Sequence, residues 1–287
     1  MLFGFTAILG KLIEVREIVL VWHRLWITCL SLLFVPGIIK LIRITPTTEL
    51  KPFAWIGVAT ALHWITFYGS IKYSNVSVTL SCLATTSLFT SILEPLVFKR
   101  KISKIELMLG ILVLFGIYII TSAALIYTAG IILGLLSAVL ASVFTTLNKK
   151  HMGNTNPILI TFVQLGSGFL LISLLIPFYI LAWPQTSFLP SSSDWFWLII
   201  LSLLCTSVAY VLALSALKHI SAFNANLSVN LEPVYGIVLA ALIFGEHQQM
   251  TQTFYLGTLI IMASVIASPL IKYYLRKKSA TLLKTKD

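Results

Sequence analysis

Glu232 and Pro233 stand side by side inside an apolar run that extends from Ala222 to Phe244. A carboxyl group in such a place can accept a proton or an amine, or it can be a buried structural group beside a kink. Pro233 adds a helix kink, because its missing N–H frees the Val229 carbonyl for water, a side chain or a solute. In a continuous helix Asn226 and Asn230 share one face of this run, while Asn224, Ser228, Glu232 and Tyr235 share the other. A helix polar on both sides cannot lie against lipid.

A second run, Val76 to Phe98, carries Thr79, Thr86 and Thr90 as one stripe and approaches its end at Glu94-Pro95. Threonines in spans often bond their own backbone, so the stripe alone is weak. Glu94, about one turn from Lys99, suits a local ion pair or a gate contact. His63, Trp64 and Tyr68 cluster in a third run; packing is their commoner role, but aromatic faces also hold planar or cationic solutes. His23 and Arg24 lie a turn or two from a span end, where snorkelling to the interface is the simpler account and a solute or gate contact the other. Neither HExxH nor GxSxG occurs, and Gly166-Ser167-Gly168 is not such an elbow. Cys29, Cys82 and Cys205 have no paired spacing, so neither a disulfide, a metal site nor a cofactor is expected.

The elements that hold these groups are membrane helices. Of 287 residues 58% are apolar and 10% charged, with a mean hydropathy of +0.98, which excludes a soluble domain. The apolar runs are continuous rather than alternating, so they predict helices and not barrel strands. Nine runs are clear: Ile18 to Ile39, Phe53 to Ile71, Val76 to Phe98, Ile105 to Ala124, Ile131 to Leu147, Ile158 to Ile180, Trp195 to Leu217, Ala222 to Phe244 and Phe254 to Leu275. Met1 to Ile13 is a tenth, too short to cross alone, and it has neither a basic leader nor a small-residue cleavage site. With ten spans, 16 of the 20 basic residues fall on one face, which places both termini in the cytoplasm; the membrane expected is a bacterial inner membrane. The net charge of +11 is then topology and headgroup contact, not a nucleic-acid surface.

The two halves superpose. An offset of 146 residues pairs Lys72 with Lys218, Leu93 with Leu239 and Phe98 with Phe244, and after one inserted residue Leu109-Gly110 meets Leu256-Gly257. The same register sets Thr86 against Glu232, Trp64 against Tyr210 and, in the second helices, Arg24 against Gln164. Paired aromatics at 64 and 210 suit a sandwich around a planar solute. Helix one is short beside helix six, so about nine residues of it are expected upstream of Met1. Five spans is an odd number, which inverts the second repeat; inverted repeats are the architecture of alternating-access carriers, with a site between the halves. Gly130 and Gly134 form a GxxxG, which marks close helix packing.

The stretch NLEPVYGIVLAALIFGEHQQMTQTFYLGTLIIMASVI, with Pro233, Gly245-Glu246 and Gly257, resembles the last two helices of EamA-type transporters of the drug/metabolite transporter superfamily. ALHWITFYGSIKYSNVSVTLSCL resembles their third and fourth helices, and VFKRKI departs from them where members often carry a glutamate. The resemblance implies efflux of a small organic solute such as an amino acid, an amine or a drug. The expected fold is therefore all-α: ten spans as two inverted five-helix repeats, residues 1–124 and 125–275, with the first helix truncated and a basic tail over 276–287. The expected cavity residues are His63, Trp64, Tyr68, Thr86, Thr90, Gln164, Tyr210, Asn226 and Asn230, with Glu232 for proton coupling and Arg24 and Glu94 at gates or the interface. A passive scaffold and an intramembrane enzyme are the competing classes, and a homodimer through the last helices of each repeat stays open.

Overall fold

The computed structural model describes residues 4–102, 104–123, 125–229, 231–248 and 250–284. Among these the chain forms fourteen α-helices and no strand: α1 (Gly4–Leu12), α2 (Glu17–Leu33), α3 (Ile38–Ile44), α4 (Thr47–Tyr73), α5 (Val76–Leu83), α6 (Thr86–Val97), α7 (Lys104–Ala123), α8 (Thr128–His151), α9 (Pro157–Ala182), α10 (Ser192–Ser202), α11 (Ala209–Leu217), α12 (Ala222–Val229), α13 (Glu232–Phe244) and α14 (Gln252–Lys284). Their starts follow local chemistry. Asn75 accepts from the Val78 N–H at 2.9 Å to cap α5, and Asn156 precedes Pro157, whose missing N–H is no loss in a first turn. Ser191 and Asp194 form a capping box at α10.

Four rods are long and apolar enough to cross a bilayer: Val76–Val97, Thr128–His151, Pro157–Ala182 and Ser192–Leu217. The run predicted over 18–39 is not one helix. It bends by 94° between α2 and α3, at Pro36-Gly37, where Gly37 takes a φ of 84° that a side chain would oppose. The rod from Ser192 contains a π-helical turn, Leu203–Val208, between α10 and α11. Two further interruptions are related. α5 ends at Leu83 and α6 starts at Thr86, while α12 ends at Val229 and α13 starts at Glu232, so both limits are offset by the same 146 residues. Lys99 (φ 54°) and Gly245 (φ 66°), the left-handed residues that follow α6 and α13, differ by that number as well.

The core gathers around α4, which packs on α8, α9 and α2. Small residues set the closeness. A Cβ on Gly134 of α8 would stand 2.8 Å from Cβ of Cys82 and 3.0 Å from Oγ of Ser70, and the Ser70 hydroxyl donates to the Gly130 carbonyl at 2.7 Å. The GxxxG therefore serves helix contact. At the periphery α7 crosses α14, where a Cβ on Gly116 would stand 2.9 Å from the Gly257 carbonyl and one on Gly257 2.8 Å from that of Gly116. The last helices of the two sequence halves thus meet each other within one chain.

Candidate functional site: a polar cavity between broken helices

A cavity of about 140 Å³ opens where α4, α8, α11, α12 and the start of α13 converge, with Thr6 of α1 and Arg24 of α2 reaching its wall. It holds most of the intramembrane polar groups singled out above: Arg24, His63, Trp64, Thr86, Tyr210, Asn226, Glu232 and Pro233 all line it. Tyr68, Thr90 and Gln164 stand behind that wall and Glu94 lies away from it, while Asn230 is outside the described residues.

Glu232 is 4% exposed and occupies the first turn of α13, where unpaired backbone N–H groups favour a carboxylate. Thr6 of α1 lines the cavity with it. Pro233 sits beside it in the same first turn, and the expected kink falls at the junction where α12 ends at Val229 and α13 starts at Glu232. In a continuous helix Glu232 shares a face with Asn224 and Ser228; here those two are exposed, and Glu232 joins Asn226 in the cavity. Asn226 is anchored from behind, donating to the Thr90 hydroxyl at 2.7 Å, which itself donates to the Thr86 carbonyl at 2.7 Å.

Arg24 does not snorkel. It is 2% exposed, its Nε donates to the Thr206 hydroxyl at 2.6 Å, its Nη1 donates to the Tyr68 hydroxyl at 2.6 Å, and its guanidinium lies 3.8 Å over the Trp64 ring. Thr206 belongs to the π-helical turn, an irregularity that recurs at functional sites. The arginine points inward because α2 packs on α4, α9 and α10, and its side chain is long enough to bridge them. His23 is buried too: Trp26 donates to its Nδ1 at 3.0 Å, which makes Nε2 the protonated nitrogen facing the Phe188 carbonyl at 3.1 Å.

On the opposite wall Tyr210 donates to Oε1 of Gln164 at 2.7 Å, and its hydroxyl lies 3.3 Å from that of Thr60. Gln164 in turn donates to Asn148. Gln164 therefore orients two cavity groups without touching the cavity. His63 Nδ1 lies 2.9 Å from the Ser137 carbonyl. Trp64 and Tyr210 meet edge to face, with centroids 6.2 Å apart and planes at 74°; two rings in mutual contact leave no slot between them, so they do not form the expected sandwich.

The model of the EamA-like transporter family matches residues 1–122 and again residues 128–268. The chain belongs to the EamA-like transporter family. Among similar proteins are the uncharacterized transporter YxxF of Bacillus subtilis, 26% identical over 73% of this chain and 66% of its own length, and uncharacterized transporters of Clostridium kluyveri, 25% identical over 75% and 69%, and of Archaeoglobus fulgidus, 27% identical over 53% and 52%. The chain spans about half to two thirds of the length of these relatives. A solved crystal structure 13% identical aligns over 94% of this chain and 94% of its own with a TM-score of 0.66, a likeness of fold. Membership and the apolar helices together make this EamA-like chain an integral membrane protein.

Several groups at the EamA-like cavity escape a linear reading. Asn148 and Thr145 line it because α8 runs on to His151, whereas hydropathy ends that span at Leu147 and leaves Asn148 with the interfacial lysines. Thr6 is hidden in the short first run. Of the two roles expected for Glu94, the local ion pair with Lys99 is not formed: Glu94 is buried, and its Oε2 accepts from the Phe223 N–H at 2.7 Å, at the start of α12. This backbone N–H takes the carboxylate that Lys99 was expected to hold. The offset of 146 residues, which links the helix breaks to each other, is the sequence signal that points to Thr86 and Glu232 together.

Proposed function

We propose that this protein is a secondary carrier that moves a small organic metabolite, such as an amino acid, an amine or another drug-sized solute, by alternating access and in the exporting direction. One observation carries the proposal: two rods, each interrupted at positions 146 residues apart, face a shared cavity, with Thr86 and Glu232 opening the second helix of each pair. Discontinuous helices from two related halves, meeting at a site between them, are what alternating-access carriers use. The double match of the family model to 1–122 and 128–268 supports the same division. In this scheme the chain has ten spans in two inverted groups of five, the helix-two-to-three and four-to-five connections lie in the cytoplasm, and both termini are cytoplasmic.

Glu232 is the coupling residue of the scheme. Charge on a carboxyl in a dry cavity is costly and in a flooded one is not, so its proton follows which side the cavity opens to. Arg24, His63 and Tyr210 are the charged and titratable groups that line the cavity with it, beside the polar Thr6, Thr86, Thr145, Asn148 and Asn226. Purified protein in proteoliposomes, loaded with a metabolite pool and given a pH gradient, is expected to release selected solutes. Glu232→Gln is expected to abolish the response to the gradient while leaving solute exchange. Unchanged pH-driven flux in that variant removes the coupling role, and product formation without flux favours an enzyme instead.

A further inference from the structure

Arg24 is a buried cation whose hydrogen-bond and ring partners are all neutral. Thr206 and Tyr68 are hydroxyl acceptors and Trp64 offers a ring face. Among the described residues no carboxylate lies within 4 Å of the guanidinium, and Nη2 makes no hydrogen bond. A guanidinium does not lose its proton, so this charge is permanent. A permanent charge out of water needs a counter-charge or further hydrogen bonds; the protein supplies no hydrogen bond at Nη2, and Glu232, the carboxyl group that shares the cavity, acts on the guanidinium through space without forming an ion pair with it. Arg24 nevertheless lines the cavity, and its Trp64 stack fixes the guanidinium plane while Thr206 and Tyr68 hold two of its nitrogens. What remains is a preset donor with a full positive charge, facing a space with aromatic walls.

Resting on the carrier reading, we infer that Arg24 is an anion subsite and that the solute carries a single carboxylate on a small, flat apolar body. A carboxylate at Nη2 receives a charge-assisted hydrogen bond and neutralises the arginine in one step. A single cation suits a monoanion better than a phosphate or a dicarboxylate. The body is limited by the space: about 140 Å³ is close to the roughly 150 Å³ of a cavity that holds one benzene ring. His63, Phe67, Phe144 and Tyr210 supply the apolar wall for it.

The test uses benzoate and its neutral isostere benzamide as probes of the purified full chain in nanodiscs at constant sodium chloride, read as ligand-dependent thermal stabilisation. Benzoate is expected to bind at least about tenfold more tightly than benzamide, a difference of the size a charge-assisted contact supplies. Arg24→Gln is expected to remove that preference, and Arg24→Lys to keep part of it because the charge stays. Equal binding of the two probes, absence of benzoate binding, or a benzoate preference that survives Arg24→Gln overturns the subsite. If Arg24→Gln does not fold, the native pair of probes and Arg24→Lys decide the matter. Benzoate preference with no flux of any solute in proteoliposomes upholds the subsite and removes the carrier, whereas flux without that preference does the reverse.

Discussion

Glu246 holds Ser77 by both its backbone and its side chain: Oε2 accepts from the Ser77 N–H at 2.9 Å and from the Ser77 hydroxyl at 2.6 Å. Oε1 accepts from the Val76 N–H at 3.0 Å. A carboxylate thus satisfies two of the orphan donors that open α5, across 169 residues of sequence. Gly245 makes this turn, since its left-handed φ of 66° ends α13 and aims the next side chain back at α5.

Glu246→Ala should therefore destabilise the protein by about 2–4 kcal/mol, because it strands buried donors rather than merely removing a contact. Ser77→Ala should cost about 1 kcal/mol, since the backbone bond survives it. Thermal unfolding of both variants in detergent measures the difference, and equal effects would show that the backbone donors do not matter.

Glu94 and Phe223 form the counterpart at the other end of the rod Val76–Val97, with α12 in place of α5. If the two contacts hold the cavity shut from opposite sides, removing either should open its own side. In a background lacking Cys29, Cys82 and Cys205, a cysteine replacing Ala225 in the cavity wall reports this. Glu94→Ala should raise its labelling by an impermeant maleimide from the Lys99 side about tenfold, and Glu246→Ala from the opposite side, as expected for loss of one charged hydrogen bond from a two-state balance. Labelling that rises equally from both sides in either variant would mean general loosening.

Tyr210, Gln164 and Asn148 behave as a chain, so their losses should be unequal. Tyr210→Phe removes one hydroxyl and should cost about 1 kcal/mol. Gln164→Leu takes the bond to Gln164 from both Tyr210 and Asn148, leaving Tyr210 the longer contact with Thr60, and should cost about 2–3 kcal/mol. Melting temperatures of the two single variants and the double variant test this, with a double-variant loss smaller than the sum expected from their shared bond.

Lys99 and Gly245 occupy left-handed backbone at matched places, φ 54° and φ 66°. Only one of them is a glycine. Lys99→Gly should stabilise by up to about 1 kcal/mol, while Gly245→Ala should destabilise by about 1–2 kcal/mol, because a Cβ opposes this conformation. Thermal melts of the two variants should move in opposite directions.

Membrane character and helical structure were legible directly, because long apolar runs leave the backbone no partner in lipid except itself. So was the pairing of Thr86 with Glu232: a common offset in the sequence reappears as a common break in the helices. The faces were harder to read. Periodicity assigns a side chain to a face only while the helix is unbroken, so it groups Asn224 and Ser228 with Glu232, whereas in the structure those two are exposed and Glu232 lines the cavity with Asn226. The sequence by itself thus determined the helical, membrane-embedded character of the chain and its polar punctuation, which rest on local composition and spacing. Tertiary structure alone decided that Arg24 turns inward to Thr206, 182 residues away, and that Glu94 and Glu246 close distant helix starts. Such contacts depend on how the rods pack and bend, and no local pattern encodes the partner of a charge buried between them.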